Sequence, residues 1–471
     1  MQSKPNYYIV VLILLTFFVI SFMTNVIGPL SPAFIQDFKL SDLLAGVLPF
    51  AFFIAYGVMS IPTSMLVQKY NEKKIMVAAF IVAFLGSLLL AAEPNYLTTI
   101  LSLFLIGCGM AMLQVVINPL LRVAGGAENY AFTSVLAQLI FGGASFISPL
   151  VYSYMVINLA HKSGGITSVL QPLVPAGMPW ISLYWLFTVM SLLMFVILIF
   201  SKFPKVELQS DEKAGPWKTH VDLFKKPVVI AYFIALFCYV GTEQGVSYWM
   251  SEFLHRYHQI DPQTKGADAV ANFWGLMMIG GILGLSLLKL MDSRKLLILF
   301  TIPAMICLSL GLFGSAEVSL YAFSITGFFM SVMYPIIFSL ALSSVSEDHG
   351  SFAGILVTGI IGGAVVQLLI GALGNMIGLR LGMTFLYITF GYMLSIGFWA
   401  KPLVVNEKEV SAKRIGYVGG VAAGLAALYF YVATSLLMRV GVIAICTIAG
   451  FFITYLVALP FFKGKHQAQK N

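Results

Sequence analysis

The chain has 471 residues, of which 59% are hydrophobic and only 10% charged, with a mean hydropathy of +0.94 and a formal net charge of +8. Soluble globular domains carry about 25% charge, so the composition excludes a water-soluble fold and describes a polytopic membrane protein whose solvent is the lipid bilayer. Cys108, Cys238, Cys307 and Cys446 all fall in apolar stretches without paired spacing, which argues against a disulfide framework or a cysteine metal site.

Apolar runs long enough to cross a hydrocarbon core recur along the whole chain. In order, the expected spans are 7–29, 44–67, 74–93, 96–121, 131–158, 179–201, 227–251, 267–290, 295–315, 318–342, 351–377, 381–400, 415–437 and 440–462, fourteen in all. The first follows Lys4, but it is long and no small-residue cleavage site follows, so it reads as a retained helix and not a signal peptide. The longest polar segment, SKFPKVELQSDEKAGPWKTHVDLFKKP, separates spans six and seven. Four segments follow: a six-helix bundle over 1–201, a cytoplasmic linker over 202–226, a second six-helix bundle over 227–400, and an extra hairpin with tail over 401–471. That hairpin contains no acid, Asn or Gln within its spans and reads as an appended structural element.

A faint internal repeat supports the division. LAQLIFGGASFISPL in the fifth span and TGIIGGAVVQLLIGAL in the eleventh share an I-x-G-G-A core six spans apart. The fourth and tenth spans each place a proline after a polar or aromatic residue, Asn118-Pro119 and Tyr334-Pro335. Two related halves of this kind place a substrate near the bilayer midplane between them.

Loop charge gives the orientation. With both termini in the cytoplasm, Lys39, Lys162, Arg256, Lys265, Arg380 and Arg439 lie outside and the other 21 of the 27 basic residues lie inside. The asymmetry is a topology signal for a cytoplasmic (inner) membrane protein, and it accounts for the basic balance without nucleic acid as a partner. No H-E-x-x-H pair or comparable ligand spacing is present, so neither a metal nor another cofactor is expected.

Few residues at bilayer depth carry chemistry, and helical spacing shows which share a face. Asn25 lies on one stripe with Ser21 and Gly28; Gln114 and Asn118 stand four apart in the fourth span; Gln138 follows Ser134 in the fifth. In CYVGTEQGVSYWM of the seventh span, Tyr239, Glu243 and Ser247 share a stripe with Gln244 beside it. Asn272, Tyr334 and Gln367 complete the set. Each amide taken alone is explained by an interhelical hydrogen bond, worth only about 0.6 kcal/mol on average. Spread over seven spans, amides, hydroxyls and aromatic rings suit a neutral, hydroxyl-rich solute. Glu243 differs: a carboxylate at bilayer depth is costly in either protonation state and marks a pathway by default.

FKLSDLLAGVLPFAFFIAYGVMSIPTSMLVQKY, QVVINP, LAQ, YVGTEQGVSY, FMSVMYPIIFSLAL and GILVTGIIGGAVV resemble, in order and spacing, the fucose permease branch of the major facilitator superfamily, which includes fucose, galactose and glucose:proton symporters. The likeness covers about residues 8–400. It implies an all-α fold of two pseudo-symmetric six-helix bundles, alternating access, and monosaccharide uptake with a cation, typically the proton. Against the family's pattern, Gly28 stands where proton-coupled members carry an aspartate, Gln114 where they carry a glutamate, and Gly281 where the fucose permease has an arginine. The terminal hairpin has no counterpart there.

The expected function is therefore secondary transport of a monosaccharide or amino sugar by a monomer, with proton or sodium symport. Substrate contacts are assigned to Asn25, Gln114, Asn118, Gln138, Tyr239, Gln244, Ser247, Asn272, Tyr334 and Gln367. Glu243 is either the cation-coupling site or a hydrogen-bonding partner of the sugar. The alternatives are an uncoupled facilitator or exporter of another small solute on the same fold, and a polytopic membrane enzyme. An enzyme calls for paired acids or a nucleophile with its base; SEDHG at 346–350 comes nearest and reads as a solvated loop.

Overall fold

The structure, a computed structural model, describes residues 6–125, 130–160, 169–175, 177–203, 215, 217–288 and 291–401. It is all helix, with no strand among the described residues. Twelve helices within that set are long and apolar enough to cross a membrane: Tyr7–Phe38, Asp42–Val67, Glu72–Ala92, Tyr96–Leu121, Leu136–Leu159, Ile181–Phe200, Pro227–His258, Pro262–Gly284, Ser293–Phe313, Ala316–Leu342, His349–Ile377 and Leu379–Trp399. They correspond one for one to the first twelve expected spans. The expected hairpin over 415–462 lies outside the described residues.

Start and stop signals follow from local chemistry. Ser41 caps the second span, its Oγ accepting from the Leu44 amide at 3.4 Å. Asn71 sits at φ 70 in the turn before the third span and accepts from the Lys74 amide at 3.2 Å. The seventh span opens on Pro227, where a missing N–H costs nothing, and closes on Gln259 in the left-handed region.

Three spans are interrupted midway, two of them beside prolines. The first divides into Tyr7–Asn25 and Ile27–Phe38. Pro29 and Pro32 have no N–H to offer the carbonyls of Asn25 and Gly28, which weakens the helical ladder at this point. This span also runs to Phe38, well past the expected end at 29. In the tenth, Pro335 leaves the Ser331 carbonyl without its usual donor, and the helix divides into Ala316–Met330 and Met333–Leu342. The eleventh passes through one tighter turn, Gly359–Ile361, between His349–Thr358 and Gly362–Ile377. The fourth, in contrast, runs unbroken from Tyr96 to Gly125 with Pro119 inside it.

Spans one to six pack among themselves, the fourth lying against the second, third and first; spans seven to twelve do likewise, the seventh touching the tenth, eleventh and twelfth. Between the two sets the second span packs on the eleventh, the fifth on the eighth and the first on the seventh. Lipid tails are as apolar as leucine, so packing and close backbone approach decide these contacts, and glycine sits where the approach is nearest. A Cβ on Gly327 would fall on the carbonyl of Phe273, and one on Gly362 on the carbonyl of Phe237. Large apolar side chains such as Phe200, Ile388 and Phe398 stay exposed on the perimeter, as expected of a surface that faces acyl chains.

Gly327→Val is expected to lower the thermal midpoint in detergent, because overpacking a tight contact costs about 1 to 3 kcal/mol. Gly391→Ala, where a Cβ meets nothing within 4 Å, is the control and should leave the midpoint unchanged or slightly raised. Equal behaviour of the two variants would contradict the packing described for the eighth and tenth spans.

Candidate functional site

Glu243 stands midway along the 32-residue seventh helix and is partly buried. The Tyr239 hydroxyl donates to its Oε1 at 2.7 Å, and the Gln244 amide lies 3.4 Å from Oε2. The i,i+4 spacing of Tyr239 and Glu243 brings that phenol directly onto the carboxylate. Tyr239 packs its ring against Tyr334 of the tenth span, centroids 5.6 Å apart, just beyond the break in that helix. Tyr334 in turn stacks on Phe338. Thr242 ties the seventh span to the twelfth through a 2.6 Å bond to Thr389.

A second polar cluster belongs to the first and fifth spans. Asn25 Nδ2 donates to Ser145 Oγ at 2.8 Å and lies 3.3 Å from Ser21 Oγ, while the two serine hydroxyls are 2.6 Å apart. All three residues are buried, and Asn25 Oδ1 has no protein hydrogen-bond partner.

The two clusters stand at the same depth. The first and seventh spans, six apart, run in the same direction, and Gly28 lies against Ser247: a Cβ there would be 2.5 Å from the Ser247 carbonyl oxygen. Asn25 precedes Gly28 by three residues and Glu243 precedes Ser247 by four, so they lie about 4.5 and 6 Å from this crossing along their helices, on the same side of it. Ser247 Oγ accepts from the Trp274 indole of the eighth span at 3.1 Å.

The other expected site residues fall into different settings. Gln244 and Ser247 are buried with the Glu243 cluster. Gln367 is fully buried, and neither its amide nitrogen nor its amide oxygen has a protein partner. Gln114 and Asn272 are half-buried, and Gln138 is exposed. The side chain of Asn118 lies outside the described residues. Ser21, Ser145 and Trp274 join the site without having been assigned to it; the stripe of Ser21 with Asn25 signalled the first, but nothing in the spacing signalled Trp274.

Chemically, the arrangement offers hydroxyls and amides with unused acceptors, aromatic faces, and one carboxylate held by a phenol. No group of three or more His, Cys, Asp or Glu side chains able to hold a metal occurs among the described residues.

The described residues thus form two sets of six helices able to cross a membrane, with polar clusters on helices that face each other across the two sets. The chain belongs to the Major Facilitator Superfamily, which it matches over residues 13–365. It is similar to the glucose/galactose transporter of Brucella abortus, 28% identical over 406 residues that cover 84% of this chain and 95% of that one. It is also similar to the L-fucose-proton symporter of Escherichia coli, 26% identical over 385 residues covering 77% and 86%. These relatives place it in the fucose permease branch. A crystal structure of the E. coli fucose:proton symporter shares the fold with a TM-score of 0.61 at 23% identity, covering 84% of this chain and all of that one. An inward-facing structure of a bacterial homologue of the human lysosomal transporter Spinster does so with a TM-score of 0.64 at 16% identity, covering 97% and 98%.

A buried amide with no partner costs about 1 to 3 kcal/mol. Gln367→Leu, of similar size and without polar atoms, is therefore expected to raise the thermal midpoint of the ligand-free protein. A lowered midpoint would show that the Gln367 amide is satisfied within the fold.

Proposed function

We infer that the protein is a proton-coupled symporter of a monosaccharide or amino sugar in the cytoplasmic membrane, working by alternating access as a monomer. Transport, as opposed to catalysis, follows from family membership. The observation that carries the coupling is the Tyr239–Glu243 pair at the depth of the Asn25 cluster, one helix from each half. Sugar as the substrate is supported by the names of the two relatives and by the chemistry of the residues that converge there. Amides donate and accept at once, as sugar hydroxyls do, and partnerless acceptors such as Asn25 Oδ1 and the Gln367 amide are what a bound polyol would satisfy.

In this reading Glu243 loads a proton and releases it on the other side, with Tyr239 steadying its charged form. A proton suits the site better than sodium, because one carboxylate held by a phenol and an amide nitrogen supplies few oxygen ligands for a metal cation. Residues 1–201 and 227–400 are the two moving bundles and 202–226 the cytoplasmic linker between them. The linker's helix Trp217–Phe224 lies against the eleventh and seventh spans, and the Gly215 amide donates to Ser351 Oγ at 2.8 Å. The charge asymmetry of the loops assigns the Asn71 end of the bundle to the cytoplasm and the Asp42 end to the outside.

Glu243→Gln keeps shape and hydrogen bonding but cannot titrate. It is expected to abolish accumulation against a gradient while exchange of labelled for unlabelled sugar persists. Normal concentrative uptake by the variant would remove Glu243 from coupling, and loss of exchange as well would assign it to the substrate. Gln114→Ala is expected to weaken sugar binding about tenfold or more, the effect of one lost polar contact. Unchanged affinity in a calorimetric titration would make Gln114 a packing residue.

A further inference from the structure

The two halves are joined at the Asp42 end by a buried charge cluster that the transport site does not use. Arg256, in the last turn of the seventh span, donates from Nη1 and Nη2 to both carboxylate oxygens of Asp42 at 2.8 and 2.6 Å. Asp42 opens the second span, so this bidentate pair bridges the two sets of six helices. The same guanidinium donates to Glu252 Oε1 from Nε at 3.1 Å and from Nη2 at 2.8 Å, one turn back on its own helix. Both carboxylates are buried, whereas the Arg256 side chain is one-third exposed.

Beneath this cluster the contacts continue in layers toward the site. The Tyr248 hydroxyl donates to the Ala45 carbonyl at 2.7 Å, again from the seventh span to the second. A Cβ on Gly46 would lie 2.9 Å from the Gln367 carbonyl, and one on Gly371 would fall on the carbonyl of Asp42. Next comes Gly28 on Ser247, and one turn deeper stand Asn25 and Glu243. The seventh span thus carries two adjacent stripes, Tyr239–Glu243–Ser247 at the site and Tyr248–Glu252–Arg256 above it, four residues apart throughout.

We propose that Asp42, Glu252 and Arg256 form the gate that closes this end of the pathway, and that Arg256 releases Asp42 each time this end opens. The inference rests on the transporter reading, in which both ends must open in turn. Its physical basis is the contrast between a bidentate charged pair and its surroundings. A charge-assisted fork is strong and geometrically specific while water is excluded, yet each of the three groups is well solvated once water enters. Two carboxylates share one guanidinium, so the closed cluster keeps one uncompensated negative charge, and this limits how firmly it shuts. Such a contact is suited to being made and broken. Arg256, the most exposed of the three, is where water arrives first. Because the cluster shares a rigid helix with Glu243, its opening moves the helix that carries the coupling acid.

The test places spin labels at Gln36→Cys and Gln263→Cys, exposed positions of this end in opposite halves, in a chain whose own cysteines are replaced. Distance distributions are read by double electron–electron resonance in lipid nanodiscs. Asp42→Asn and Arg256→Gln are each expected to raise the ratio of long to short distances about tenfold or more, as loss of a charge-assisted hydrogen bond implies. The exchange Asp42→Arg with Arg256→Asp should restore the short distance. Glu252→Gln, which leaves the bidentate pair in place and removes the uncompensated charge, should shift the ratio the opposite way, toward the short distance, and it serves if the other single variants do not fold. Folded variants with the unaltered distance distribution, whatever their thermal stability, would overturn the gate and leave a static tie. The distances require no substrate, so an error in the sugar assignment would not alter this outcome.

Discussion

The contact on which the rest of the structure depends is the crossing of the first and seventh spans, where Gly28 lies directly on the carbonyl of Ser247. Any side chain at position 28 would separate the two helices. With none, Asn25 on one and Glu243 on the other are brought to the same depth, the Trp274 indole reaches Ser247, and the layers above close over them. The site and its seal are consequences of one close approach. At position 28 this chain uses the absence of a side chain to bring its halves together.

That approach gives Glu243 its meaning. A carboxylate at bilayer depth is costly in either protonation state, a cost that the proposed coupling role explains. Here it has a phenol on one oxygen, an amide near the other, and a broken helix beside it that supplies Tyr334. Interruptions in the first and tenth spans fall next to Asn25 and Tyr334, as expected where irregular backbone lines a cavity and is excluded from lipid. In the first span the buried, partnerless Asn25 Oδ1 points the same way, to an acceptor open to a donor-rich solute.

Much of this was legible in the sequence, for reasons that are local. Uninterrupted apolar runs mark spans because lipid imposes a length, and the stripe Tyr239–Glu243–Ser247 follows from helical periodicity alone. What was not legible depends on residues far apart or on backbone accounting. Arg256 and Asp42 are 214 positions apart; Arg256 read only as an outer-loop charge, and nothing singled out Asp42. Matching prolines in the fourth and tenth spans suggested like behaviour, yet the tenth breaks at Ser331–Val332 while the fourth continues through Pro119. The break after Asn25 was hidden because Pro29 and Pro32 acted on an apolar run whose end had been placed at 29. Gln138 shared helical spacing with Ser134 but is exposed, since periodicity gives a face and not what the face meets.

The most direct test of the account is uptake by the purified wild-type protein in sealed vesicles, with inward proton and sodium gradients imposed separately. The panel would contain labelled L-fucose, D-galactose, D-glucose and N-acetylglucosamine. The account predicts that at least one sugar accumulates above its external concentration under the proton gradient and only equilibrates under the sodium gradient. Accumulation driven by sodium alone, or no movement of any sugar under either gradient by protein shown to be folded, would contradict it.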